Sequence, residues 1–133
     1  MDEQKKVVFG LLVRNGEVLI VRRTKQEVGK GGAVLVWGFP GGKVETDEST
    51  ENAVVREVYE ETGFKISIEE LIADRIHPNF PVRALYFSCQ LVSDEPDAVI
   101  DVGTQEVRWV PLSDLASYFT SDLDPRVQGF LSL

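Results

Sequence analysis

Apolar and polar positions alternate along the chain in short runs, and the period of the alternation changes once. Val7–Val13 (VVFGLLV) and Glu17–Arg23 (EVLIVRR) are rich in β-branched and aliphatic residues. The Asn15-Gly16 pair between them suits the positive φ angles of a type I′ turn, so an antiparallel hairpin is predicted. Thr24–Gly32, with three glycines and three charges, reads as a loop able to border a site, ahead of a short apolar strand at Ala33–Trp37. Gly38-Phe39-Pro40-Gly41-Gly42 is too dense in glycine and proline for a regular element and predicts a sharp turn. Further strands are predicted at Lys65–Ile76, Ala84–Val92 and Glu106–Val110, the middle one being the most apolar and hence central. An acidic connection containing Pro96, Ser93–Gly103, joins the last two. Leu112–Phe119 predicts a short helix, and Asp124-Pro125 supplies an N-cap and first-turn proline for a terminal one.

Between these strands the period becomes helical. A helix fits from about Ser49 to Thr62: Asp47 or Ser49 can cap it, Glu48 and Glu51 suit its positive end, and Gly63 suits the C′ position. At about 100° per residue, Glu57, Glu60 and Glu61 fall in one sector with Ala53, while Val54, Val55, Val58 and Tyr59 form the packing face. Neighbouring carboxylates on a helix repel by roughly 0.2–0.5 kcal/mol per pair, and acids in the last turn also oppose the helix dipole. Two readings follow, a solvated acidic face or a site for a divalent cation that relieves the repulsion. Hard carboxylate oxygens suit Mg2+ or Mn2+, and the glycine-rich turn before the helix permits close backbone approach. Arg56, beside Glu57 and one turn before Glu60, is either a surface ion pair or a rigid fork that orients a carboxylate.

At 133 residues, with 43% hydrophobic and 27% charged, the composition predicts one globular domain over residues 1–133. The net charge of −8 argues against a polyanionic partner such as long nucleic acid. Residues 42–64 hold seven acids against Lys43 and Arg56, so −5 of the −8 is concentrated there. Cys89 is the one cysteine, which leaves no internal disulfide and no multi-cysteine zinc site, and points to core packing. The longest apolar run, Val7–Val13, is far short of the roughly 20 residues of a membrane-spanning helix. Met1-Asp2-Glu3 lacks the basic start of a secretory signal, so no membrane association and a cytoplasmic location are expected.

The segment Gly42–Phe64, GKVETDESTENAVVREVYEETGF, resembles the Nudix box of the Nudix hydrolase superfamily. Gly42 is followed after five residues by Glu48, then after seven by Arg56-Glu57, with Val58, Glu60-Glu61 and Gly63-Phe64 completing the pattern. The resemblance implies an α/β Nudix fold, a mixed sheet sandwiched between helices with the box as loop, helix and loop. It also implies Mg2+- or Mn2+-dependent hydrolysis of a nucleoside diphosphate linked to another moiety. By the family pattern Glu57, Glu60 and Glu61 ligate metal, the Gly41 carbonyl adds a backbone ligand, and Arg56 orients Glu57. Gly42, Glu48 and Gly63 are structural members of the box, and Glu57 or Glu60 takes the proton from water, with Glu57 preferred. A further acid from outside the box is expected. Glu106 is the candidate, against the plainer reading of a strand-end glutamate.

The short chain and the Trp37–Gly42 run resemble the MutT-like group, which converts nucleoside triphosphates, oxidised ones included, to monophosphate and pyrophosphate. Phe39 either approaches a base or packs. His77-Pro78-Asn79-Phe80-Pro81 is expected to shape a substrate loop, with Asn79 and Phe80 as contacts. Asn79 offers a donor and an acceptor to a base edge but also suits a turn, and His77 is a catalytic base or simply a loop residue. Pro78, some fifteen residues past the box, fits the ADP-ribose-cleaving group as an alternative. A nucleotide sensor without turnover would signal itself by a missing box acid, and none is missing; an acidic calcium module lacks EF-hand spacing. The expected partner is a small nucleotide, with monomer and homodimer both open.

Overall fold

A computed structural model of the chain describes residues 5–28, 34–78, 80–99, 101, 103–119 and 123–132. In chain order the elements are β1 (Lys6–Leu11), β2 (Val13–Arg14), β3 (Glu17–Val28), β4 (Val34–Gly38), β5 (Gly41–Lys43) and α1 (Thr50–Thr62). They continue with β6 (Ile66–Ile76), β7 (Arg83–Leu91), β8 (Thr104–Pro111), a 3-10 helix (Leu112–Ser117) and α2 (Pro125–Leu131). No helix among the described residues is long and apolar enough to cross a membrane.

The strands form two sheets. One has the order β5-β1-β7-β6, mixed because β1 runs parallel to β7 while its other pairs are antiparallel. The other is built on β3, which pairs with β2 and β4 and, from Glu17 to Arg23, with β8. The predicted hairpin is therefore much shorter than its sequence run: only Val13 and Arg14 pair back onto Val18 and Glu17. Asn15 and Gly16 do adopt the positive φ values of 53° and 76° that the turn needs. The chain changes sheets at Leu12, which is 1% exposed and accepts the Leu19 N–H at 3.0 Å. Leu11 and Leu12 are buried and the exposed Val13 is apolar as well, so VVFGLLV reads as one strand across the switch.

Two further expectations are corrected. Residues 24–28, expected in a loop, continue β3, whose pairing with β4 is irregular between Arg22 and Glu27; residues 29–32 lie outside the described set. Gly41 and Gly42, expected in an irregular turn, form the edge strand β5 against Phe9 and Val8. Glycine is required there by proximity, since a Cβ at Gly41 would lie 1.9 Å from the Val8 carbonyl oxygen.

Strands β1 and β7 are buried on both faces, and the period of two assigns alternate residues to different cores. Val8, Leu85, Phe87 and Cys89 pack with Ala53, Val54 and Val58 of α1. Val7, Phe9, Ala84 and Tyr86 pack instead with Leu115, Val127 and Leu131, from the 3-10 helix and α2. The expected sheet between helices is thus present. Contact with α1 is close: a Cβ at Gly10 of β1 would meet Val58 Cγ2 at 2.9 Å. Burial pushes the Cys89 thiol up to about 12, in keeping with a packing role.

Candidate active site

The site is built on α1 and on what its two ends touch. Ser49 is the N-cap, accepting the Asn52 N–H at 3.1 Å, and Gly63 ends the helix at φ 79°. Ala53, Val54, Val58, Glu61 and Thr62 are buried, whereas Val55, expected on the packing face, is 36% exposed. The buried stripe is rotated from the expected one, so the three glutamates do not share one environment. Their side chains are 13%, 35% and 2% exposed at Glu57, Glu60 and Glu61.

Arg56 meets three carboxylates, including the i,i+4 partner Glu60. Its Nε and Nη2 donate to the two oxygens of Glu48 at 2.7 and 3.0 Å, and Nη2 also reaches the Lys43 carbonyl at 3.1 Å. Its Nη1 donates to Glu57 at 2.9 Å and to Glu60 at 3.3 Å. Glu48 additionally accepts the Glu45 N–H at 3.0 Å, tying the loop before the helix to the helix itself. The Arg56 bond, then the Glu45 N–H, hold the Glu48 carboxyl down at about 2, and Glu48 in turn raises Arg56. Burial raises Glu57, only partly opposed by Arg56. Gly42 is needed beneath it, because a Cβ there would lie 2.6 Å from the Glu57 carboxylate.

Glu61 points inward. Arg23, from β3, offers it Nη1 at 3.1 and 3.2 Å to the two oxygens, and the Gly41 N–H donates at 3.2 Å. Burial nevertheless prevails over these donors and pushes the Glu61 carboxyl up to about 7.

The acidic connection after β7 closes the far end of α1. The Asp97 N–H donates to the Gly63 carbonyl at 2.9 Å, the Asp101 N–H to the Glu60 carbonyl at 3.0 Å, and the Tyr59 hydroxyl to Asp97 at 2.8 Å. The two backbone bonds satisfy carbonyls at the helix end. They also deliver Asp101, whose carboxylate accepts the Gly103 N–H at 2.6 Å, to Glu57 and Glu61. Ligand atoms of Glu57, Glu61 and Asp101 all lie within 4.8 Å of one another. An all-oxygen set in which burial disfavours two of the negative charges fits a divalent cation such as Mg2+ or Mn2+.

The other expected site residues are placed as follows. Glu60 stands outside that group, on Arg56. Gly41 adjoins it through its N–H. Glu106 pairs with Arg108 on β8 and is not part of the group. Phe39, 3% exposed, is a core residue set edge-on to Tyr86 and Phe119 rather than a free aromatic face. Phe80 sits edge-on to His77 at 5.1 Å, and Asn79 lies outside the described residues. Sequence reasoning did not single out Asp101 or Arg23. Nothing in the acidic run 93–103 marks Asp101 above Asp94, Glu95 or Asp97, and Arg23 reads as the polar end of a strand.

A family model described as NUDIX domain matches residues 4–130. The chain belongs to this family of hydrolases. It is 40% identical over 129 residues, 96% of this chain and 92% of the other, to the CTP pyrophosphohydrolase of Escherichia coli (strain K12). It is also 40% identical over 58 residues, 44% of this chain and 51% of the other, to the 8-oxo-dGTP diphosphatase of Proteus vulgaris. In fold it resembles the crystal structure of an ADP-ribose pyrophosphatase from Streptococcus suis 89-1591, with TM-score 0.73, 21% identity and coverage of 98% of this chain and 91% of that one.

Proposed function

We propose that this chain hydrolyses a nucleoside triphosphate, normal or oxidised, to the nucleoside monophosphate and pyrophosphate, with Mg2+ or Mn2+ held by Glu57, Glu61 and Asp101. The convergence of those three carboxylates within 4.8 Å carries this reading. The triphosphate preference is supported by the 40% identity to a protein named CTP pyrophosphohydrolase over 96% of this chain. The ADP-ribose pyrophosphatase, at 21% identity, supports the fold alone. Bound at this site, the cation would neutralise phosphate oxygens, reverse the sign of an acidic surface and make an attached water a better nucleophile.

The chain's own residues supply orientation and a proton acceptor. Glu48 fixes the Arg56 fork, and Arg56 fixes Glu57. Of Glu57, Glu60 and Glu61, Glu60 keeps the most solvent contact, 35%, while remaining tethered to Arg56, which suits it to take the proton of the attacking water. Glu57, the acceptor preferred from sequence alone, is then occupied as a ligand.

The test is a panel of CTP, 8-oxo-dGTP, the other triphosphates, ADP-ribose and dinucleoside polyphosphates, assayed with Mg2+ and resolved by product. Monophosphate plus pyrophosphate from a triphosphate is expected. ADP-ribose preferred over every triphosphate would overturn the substrate, and tight nucleotide binding without turnover would overturn the enzyme. Glu60→Gln is expected to lower kcat by roughly 10²–10⁴ with Mn2+ affinity retained; Asp101→Asn is expected to weaken Mn2+ binding itself.

A further inference from the structure

We infer that Arg23 is the resident counter-ion of Glu61 and is exchanged for the metal: its guanidinium occupies the carboxylate when no cation is bound and releases it when one arrives. The inference rests on the reading of Glu61 as a ligand. Glu61 is 2% exposed, and its Oε2 accepts from Arg23 while Oε1 accepts from both Arg23 and the Gly41 N–H. A carboxylate that deep needs a positive neighbour or it neutralises.

The grip is of a releasable kind. Arg56 engages Glu48 with two nitrogens on two oxygens, whereas Arg23 engages Glu61 with Nη1 alone, split between both oxygens at 3.1 and 3.2 Å. The split bond lacks the two parallel contacts that make an arginine fork strong. The other terminal nitrogen, Nη2, reaches instead toward the Phe39 carbonyl at 3.4 Å. The Arg23 side chain is 18% exposed, so it has a route to water that leaves no buried charge behind. A doubly charged cation seated among Glu57, Glu61 and Asp101 takes over the neutralisation of Glu61 and repels the guanidinium, whose backbone stays fixed opposite Thr104 of β8.

Arg23 therefore competes with the metal, and removing it should tighten metal binding. Mn2+ titrations followed by the loss of free-ion EPR signal, at alkaline pH, would compare wild type, Arg23→Gln, Arg23→Lys, Glu61→Gln and the Arg23→Gln/Glu61→Gln double variant. Arg23→Gln is expected to bind Mn2+ roughly fivefold or more tightly than wild type. Arg23→Lys should fall between them, and it carries the test alone should Arg23→Gln not fold without metal. In the Glu61→Gln background the Arg23→Gln change should have no effect. Equal or weaker Mn2+ binding in the Arg23 variants overturns the exchange. Unchanged affinity in Glu61→Gln overturns instead the assignment of Glu61 as a ligand, so the two failures are distinct.

Discussion

Glu61 on α1 and Asp124 at the start of α2 are each 2% exposed, and their neighbours treat them in opposite ways. Asp124 is the N-cap of α2 and accepts the Arg126 N–H at 2.7 Å. Its oxygens also take Arg126 Nε and Nη2 at 3.2 and 3.0 Å, and Arg75 Nε lies 3.2 Å away. Burial pushes this carboxyl up, yet the side-chain and backbone bonds from Arg126 outweigh it and hold Asp124 below the usual range. Glu61 has one nitrogen of Arg23 and one backbone N–H, and there burial prevails. Equal exposure thus goes with opposite shifts: Glu61 lies deeper, where desolvation is larger, and fewer donors reach its oxygens. The acid with more donors anchors a helix, and the one with fewer stands in the carboxylate group with Glu57 and Asp101.

The contrast is most directly broken at Asp124. Its replacement by alanine removes the cap and the carboxylate's guanidinium contacts, and should lower unfolding stability by about 2–3 kcal/mol in denaturant titrations. Glu61→Gln should do the reverse in chelator-treated protein. The native carboxyl of Glu61 titrates near 7 rather than at its ordinary 4.5, so its stabilising contribution is complete below 4.5 and is lost as pH rises through 7. Above that pH the neutral amide should gain on the order of 2 kcal/mol in thermal melts. A loss comparable to that of Asp124→Ala would show that both acids are structural anchors.

Smaller effects sharpen the comparison at the mouth of the site. Gly42→Ala places a methyl against the Glu57 carboxylate, the far end of a flexible side chain, so stability should fall by less than about 1 kcal/mol while turnover falls by roughly tenfold or more. The same change at Gly41 meets the Val8 backbone and should disrupt β5 itself. Glu48→Gln should lower stability more at neutral pH than in acid. Because the Glu48 carboxyl is held at about 2, its contribution is present above its ordinary 4.5 and lost as pH falls toward 2, so the variant should flatten that part of the acid-unfolding profile.

Local signals were legible wherever a short stretch of chain decides its own conformation. Ser49 and Gly63 cap α1, Asn15-Gly16 makes the turn, and Asp124-Pro125 starts α2 as expected. The roles of Glu48 and Arg56 toward Glu57 came from the resemblance to the Nudix box, whereas spacing alone left Arg56 open between a surface ion pair and an orienting fork. The switch of sheets at Leu12 was hidden because the apolar run continues across it to Val13, although Val13 is exposed. Val55 and Ala53 were misassigned because a helical wheel gives angles but not the direction of the neighbour that covers them.

The sequence by itself determined the helix, its caps and the box of acids and arginine, since propensity, capping and helical spacing act over a few residues. Only the tertiary structure decided which glutamate is buried, that Arg23 meets Glu61 from 38 residues away, and that Asp101 rather than Glu106 joins the carboxylate group. Burial and the pairing of distant charges depend on how sheets and loops close around one another, and the period of a single segment carries no record of that closure.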